Sequence, residues 1–343
     1  MAAITTTRSA AAQRTPFPGL RLAAILLFAT VAAAWAGTND PSEVRRFAQN
    51  PIIRPEMLPG GDGDNINGPS LIRVPSWITN RLGNYYLYFA HHSGKYIRLA
   101  YADKLEGPWK IHEPGTLRLE EAPGCQGHIA SPDVLVDEQR KEIRMYFHGP
   151  AKAASGQKTF VAVSTDGLRF KAADEVLGIF YWRVFRWDGW WYAMGKGGLL
   201  YRSRDGLKDF KEGPNPFPGS ELRDHEYNSP GPRHVALHRS GNRLLVYYSN
   251  IGDAPERIFR CHLELTGDWK TWKTSAPEEV LRPETESEGA RLPVKKSGAG
   301  AVKGREQALR DPGLFADADG RLYLLYSVAG ESGIGIAELK ARP

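Results

Sequence analysis

Cysteine is scarce: Cys125 and Cys261 are the only two in 343 residues. Two thiols exclude a disulfide-rich scaffold and a four-cysteine zinc site. Their distant positions give no support for a pair, so two separate buried thiols are expected. A membrane-spanning apolar run is also missing, because residues 22–34 fall short of the ~20 helical residues a bilayer requires. A strong excess of one charge is missing too. The formal net charge is +6, and three of the arginines behind it, Arg8, Arg14 and Arg21, lie in an acid-free stretch at residues 1–36. What remains is no nucleic-acid footprint, so no nucleic-acid partner is expected. No convincing amphipathic helix follows residue 37. With 24% charged and 41% hydrophobic residues, the chain is neither disordered nor a multi-span membrane protein.

What the sequence does hold is turn formers and aromatics: 36 Gly, 24 Pro, 9 Trp, 14 Tyr and 13 Phe. Many short strands and many turns follow from such a composition. At the N-terminus the three arginines precede the apolar run, and Ala34-Trp35-Ala36 supplies a small-x-small cleavage pattern. Residues 1–36 read as a signal peptide, with an uncleaved anchor as the alternative. A secreted or periplasmic chain beginning near Gly37, with no membrane span of its own, is expected.

The remainder repeats. One hairpin type is a strand, an Asp/Gly turn and a covering aromatic: Phe160-Val-Ala-Val-Ser-Thr-Asp166-Gly167-Leu-Arg-Phe170, Leu200-Tyr-Arg-Ser-Arg-Asp205-Gly206-Leu-Lys-Asp-Phe210, and a looser copy from Leu99 to Trp109. A second type recurs upstream of these, as in Val184-Phe-Arg-Trp-Asp188-Gly189-Trp-Trp-Tyr-Ala and Val235-Ala-Leu-His-Arg-Ser-Gly241-Asn-Arg-Leu-Leu-Val-Tyr-Tyr. Asp-Gly tolerates the positive φ that tight hairpins need. First strands are expected near residues 69, 132, 182, 233 and 312. Their spacing allows a four-stranded antiparallel unit each time, and such units bury both faces only when packed radially. The predicted architecture is an all-β, five-bladed β-propeller forming one domain over residues 37–343. A β-sandwich pair is the alternative. The fifth unit shows three clear strands, so Pro51-Ile-Ile-Arg54 is expected to close the ring. A monomer is expected.

In a propeller, first-strand starts and second-strand ends share one face of the channel. The starts contribute Asn67, Ser70, His128, Asp133, Trp182, Arg183, Arg233, His234 and Asp311. The ends contribute His91, His92, His148, Lys196 and Asn250. Any one of these could be a solvated strand end. Together they mark a polar channel mouth, a place where ligands bind. Trp182 is expected there as an aromatic plane suited to a sugar ring. The histidines lack a metal-ligand spacing beyond the adjacent pair His91-His92, and no metal site is expected from them.

Asn50-Pro-Ile-Ile-Arg-Pro55, Ser131-Pro-Asp133, Arg310-Asp-Pro312 and the Ser-x-Asp-Gly hairpins at 164–170 and 203–206 resemble the five-bladed propeller glycoside hydrolases, the superfamily of family 43 and its levansucrase and invertase relatives. The resemblance implies a carbohydrate substrate and a pair of carboxylates acting as acid and base, about 6.5–9.5 Å apart in inverting members. It implies that Asp133 tunes its neighbours, and for the proton donor Glu226, in Asp224-His-Glu226, is the best candidate, unless that segment is only a solvated loop. Asp311 is then base or substrate ligand. The first-blade Asp expected from the resemblance is replaced by Asn67-Gly-Pro-Ser70, and Asp64 is the nearby alternative, unless Asp62-Gly-Asp64 is only a turn. A divergent hydrolase and a non-catalytic glycan-binding propeller both remain open. No cofactor is required, although the resemblance allows a calcium ion in the channel. Residues 282–309 lack a strand pattern and are expected either to cover the site or to form a surface excursion.

Overall fold

The computed structural model describes residues 41–217 and 231–341. Its strands follow the expected repeats. After β1 (Pro41–Arg46), the first blade comprises β2 (Asn67–Arg73), β3 (Tyr85–Ala90), β4 (Tyr96–Ala102) and β5 (Lys110–Arg118). The second holds β6 (Ala130–Asp137), β7 (Glu142–Pro150) and β8 (Gln157–Ser164), edged by the short β9 (Lys171–Ala172) and β10 (Gly178–Ile179). The third holds β11 (Arg183–Trp187), β12 (Trp190–Met194), β13 (Leu200–Ser203) and β14 (Lys211–Glu212). The fourth holds β15 (Pro232–Ser240), β16 (Arg243–Asn250), β17 (Ile258–Glu264) and β18 (Glu278–Leu281). The fifth runs β19 (Arg310–Ala316), β20 (Leu322–Ser327) and β21 (Ile334–Ala341), with β1 as its outermost strand. The protein is a five-bladed β-propeller.

Burial explains why the second strands read as unbroken apolar runs. Every residue of Tyr85–Ala90 and of Leu322–Ser327 is buried, because each blade is covered on both faces by its neighbours. There is accordingly no central core. Five apolar clusters lie one at each junction between adjacent blades, from Ile72, Tyr88 and Phe160 between blades 1 and 2 round to Leu71, Phe315 and Tyr323 between blades 5 and 1. Cys125 and Cys261 sit in two different clusters as free thiols, and burial pushes both up to about 12.

The Ser-x-Asp-Gly hairpins do more than turn the chain. In blade 2 the Ser164 hydroxyl accepts from Gly167 N at 2.9 Å, and Asp166 accepts from Leu168 N and Arg169 N at 2.8 and 2.9 Å. The buried carbonyl of Gly167 then accepts from Tyr88 of blade 1 at 2.8 Å. Blade 3 repeats the device, with Gly206 accepting from Tyr146 of blade 2 at 2.6 Å. A Cβ at Gly167 would stand 2.8 Å from the Tyr88 hydroxyl, and φ there is +73°. Glycine is thus required for both the turn and the docking.

Ring closure differs from the expectation. β1, not Pro51-Ile-Ile-Arg54, pairs along β21, from Pro41 opposite Ala341 to Arg46 opposite Ala337. Ile53 makes only an isolated bridge to Ile334. The closing strand is an outer edge, so it carries charges rather than the apolar run that marks inner strands.

Candidate active site at the channel mouth

In four of the five blades the first strand enters the channel through a bulge, while that of blade 3 pairs without a register shift. In blades 1, 2 and 5 the ladder skips two residues, pairing Asn67 and then Ser70, Ala130 and then Asp133, Arg310 and then Gly313. The skipped pairs are Gly68-Pro69, Ser131-Pro132 and Asp311-Pro312, whose first members have φ of +62°, +45° and +49°. Proline cannot donate to a ladder, so bulges are where it belongs. Blade 4 has its own bulge, between Pro232 and Val235, which contains Arg233 and His234.

Asp311 is 1% exposed and touches Nδ1 of His234. Its other oxygen accepts from the Ser327 hydroxyl at 3.3 Å. Burial works to raise its pKa. The His234 contact and the charges of Arg233 and Arg310 outweigh burial and hold the carboxyl well below the usual range. Burial lowers His234 despite Asp311, so the pair is an ionised carboxylate beside a neutral imidazole at neutral pH.

Around this pair lies a connected set of ions. Glu256, fully buried, receives Arg233 through 2.7 and 3.2 Å bonds, Arg310 at 2.8 Å and the Ser249 hydroxyl at 2.8 Å. Arg310 also stands 3.5 Å from Glu331. Glu331 comes from the loop after β20 and meets Asn65, Asn67 at 3.4 Å and His92 at 3.7 Å. Burial opposes ionisation of Glu331, but His92 and Arg310 keep its pKa lowered. Asn67 therefore donates where the resemblance had implied a first-blade carboxylate. A second carboxylate there would face Glu331 in a buried site.

Aromatic and imidazole rings form the other wall. Tyr181, held at φ +62°, lies 3.7 Å from the His234 ring and 4.5 Å from the His148 ring, centroid to centroid. Burial, reinforced by neighbouring His128 and His234, drives His148 well below its ordinary pKa, so it is neutral. Its Nδ1 is buried with no hydrogen-bond partner among the described residues. Lys196 is buried, with one long bond among the described residues, 3.5 Å to Pro232 O, and burial beside Arg233 pushes it down to about 8.

Several expected site residues stand elsewhere. Trp182 is a correction: it is 2% exposed and packed between blades against Tyr201 at 4.9 Å and Phe210 at 4.7 Å. Its neighbour Tyr181 takes the place at the mouth, because the positive φ at 181 turns the chain between them. Ser70 and Asp133 lie one step further down the channel, where each accepts from the next blade: Ser70 from Val134 N and Asp133 from Val184 N, both at 2.8 Å. Burial pushes Asp133 up to about 6 against the pull of Arg183, 3.8 Å away. With Arg183, Leu237 and Gly313 they line a channel cavity of about 80 Å³.

Asp64 is exposed at the end of a 3-10 turn, and it is Asp62 that reaches inward, to Tyr96 and to Arg98 at 3.5 Å. His91 is spent on its own turn, accepting from Ser93 N at 3.0 Å, and His128 pairs with Gln157 at 3.0 Å. Asn250 ends β16 opposite Pro232, and its carbonyl accepts from Ser297 at 3.3 Å. Glu226 lies outside the described residues. Segment 282–309 is pinned. Buried Glu288 ties it to Arg46 at 2.8 Å and Tyr326 at 3.0 Å, while Gly298 and Gly300 carbonyls accept from Arg233 and Arg310. It thus lies against the arginines of the mouth.

Glu256 and Glu331 were not foreseen. Both sit in second-to-third strand loops, which lack periodicity. The signal available was the shared face itself, read a few residues beyond each second strand. Among the described residues no His, Cys, Asp and Glu group could hold a metal ion, and no helix is long and apolar enough to cross a membrane.

No protein-family model matches the sequence. The uncharacterized protein R118 of Acanthamoeba polyphaga mimivirus is 40% identical over 321 residues, spanning 86% of this chain and 90% of that protein. Among solved structures, an endo-arabinase from Bacteroides thetaiotaomicron superposes with a TM-score of 0.56 at 13% identity, over 81% of this chain and 95% of its own. The RS223 β-xylosidase gives 0.54 at 15%, over 82% and 94%. A thermostable family-43 glycoside hydrolase gives 0.54 at 15%, over 80% and 88%. At such identities the likeness is one of fold.

Proposed function

Since the chain belongs to one family with the mimiviral protein R118 and folds as a glycoside-hydrolase-like propeller, we propose that it is a carbohydrate-active enzyme that hydrolyses a glycosidic bond at the channel mouth. The observation that carries this reading is Asp311, a buried carboxylate kept ionised by His234, Arg233 and Arg310. As the base, Asp311 takes a proton from water as the water oxygen attacks the anomeric carbon. The bond to the leaving oxygen breaks, and that oxygen takes a proton from an acid. Glu226 is the proposed acid, on its place in the sequence shortly before β15. His148, whose Nδ1 has no partner among the described residues, and Lys196 offer hydrogen bonds to hydroxyls. Asp133 tunes from below through Arg183. Residues 1–36 would direct the chain to the periplasm or the exterior.

A second reading, glycan binding without turnover, has its own support. Gly68 stands in blade 1 where blade 5 has Asp311, and the mouth carboxylates Asp311 and Glu331 are both held below their ordinary pKa, as suits a base and not an acid. Screening residues 37–343 for binding and for release of reducing ends, on arylglycosides and on plant and bacterial polysaccharides, separates the two. Cleavage of a bound glycan supports the enzyme. Binding with no cleavage of any bound glycan leaves the lectin-like reading.

A further inference from the structure

The bulges give the channel a second property. Gly68-Pro69, Ser131-Pro132 and Asp311-Pro312 are skipped by their ladders, so the carbonyls of Pro69, Pro132 and Pro312 are left free of strand pairing. Three blades thereby turn three oxygens towards one place in the channel, with the Asp133 carboxylate beside them. A ring of carbonyls and a carboxylate is what a hard cation such as calcium binds. Here the oxygens already have a partner. Nη1 of Arg183 donates to Pro132 O at 2.7 Å, Nη2 reaches Pro69 O at 3.4 Å and Pro312 O at 3.5 Å, and Asp133 lies 3.8 Å from Nη1. Arg183 is 6% exposed, and it enters from the start of β11, the first strand of blade 3.

We infer that Arg183 is the resident cation of this propeller channel, a covalently tethered guanidinium standing where a channel metal ion would otherwise bind, so that the channel does not take calcium. The residues do not fit a calcium ion while Arg183 is there. The oxygens are spent as acceptors, and a positive charge occupies their centre. A planar guanidinium carries donors in several directions at once, which suits carbonyls arriving from three different blades. An ammonium on a flexible stem would not span them equally. The inference concerns the channel below the mouth and stands whether or not the mouth hydrolyses sugars.

The test is thermal unfolding of the full chain with metal analysis. Wild-type protein, desalted without chelator, should contain no stoichiometric calcium, and its Tm should be the same in EDTA and in millimolar calcium chloride. Arg183→Gly exposes the carbonyls and Asp133 to one another. Its Tm should fall by many degrees and rise again when guanidinium ion or calcium is added at concentrations that leave the wild type unmoved or lower its Tm. If Arg183→Gly does not fold, Arg183→Lys serves, with a smaller fall and a calcium response weaker than that of a vacated site. One calcium per wild-type chain, or a wild-type Tm several degrees higher in calcium than in EDTA, would overturn the inference. So would an Arg183→Gly or Arg183→Lys protein as stable as the wild type.

Discussion

Blades 1 and 5 meet side by side in the ring and enter the channel through the same bulge, yet one carries a carboxylate there and the other carries nothing. Asp311-Pro312 and Gly68-Pro69 share the skipped ladder positions and the positive φ. Asp311 gathers His234 and Ser327. At Gly68 a Cβ would fall 2.9 Å from the Cα of Ser131. The difference shows that the propeller repeats its backbone, while packing against the next blade decides which bulge has room for a side chain. Blade 1 is supplied from outside itself: Asn65 and Asn67 bind Glu331, which belongs to a blade 5 loop.

Asp311→Asn should cut turnover about a thousandfold, while the dissociation constant for a bound glycan moves only a few-fold. A rate within tenfold of the wild type would remove Asp311 from the chemistry. Next comes the empty bulge. Gly68→Ala forces a side chain into Ser131 at a left-handed φ, at a cost of about 3 kcal/mol, read as a lower denaturant midpoint. An unchanged midpoint would mean that blade 1 is vacant for some reason other than space.

Glu331→Gln sharpens the supply from blade 5. It leaves Arg310 short of one of its partners and replaces an acceptor of two amides, so a stability loss of about 2 kcal/mol is expected. Chemical denaturation of this variant beside Glu331→Asp separates charge from shape.

A smaller effect lies in pH. The folded-state pKa of His148 is far below 6.5, chiefly through burial. Below about pH 6.5 the unfolded chain binds a proton that the folded chain refuses, so stability falls as pH falls. His148→Phe should flatten the slope between about pH 6.5 and 5.5 by about 1 kcal/mol. An unaltered slope would place the proton uptake on another group. The smallest effect is at Asp64, exposed on its turn. Asp64→Ala should leave turnover within about twofold.

The fold was legible because its rule is local and repeated. Inner strands buried on both faces read as apolar runs, and the Asp-Gly turns at Gly167 and Gly206 mark two hairpins that dock into a neighbouring blade. β1 escaped because an outer edge strand need not be apolar, and Pro51-Ile-Ile-Arg54, more apolar, drew the assignment to a mere bridge. The site was legible where it sits on first strands, as with Asp311, His234 and Arg233. Loop residues Glu256 and Glu331 left no periodic trace. Trp182 misled because sequence cannot say which of two adjacent aromatics turns inward. The positive φ at Tyr181 decides that, and it is a property of the folded bulge.

On the proposed function, blade 5, and not blade 1 or the Asp133 end of the channel, supplies the reactive carboxylate. A crystal structure of the Asp311→Asn protein with a glycan that the wild type cleaves tests it most directly. The scissile glycosidic bond should lie beside the side chain at position 311, with Tyr181 and His148 against the sugar and Gly68 clear of it. A sugar seated below Arg183 against Asp133, or on the outer surface of a blade, would contradict it.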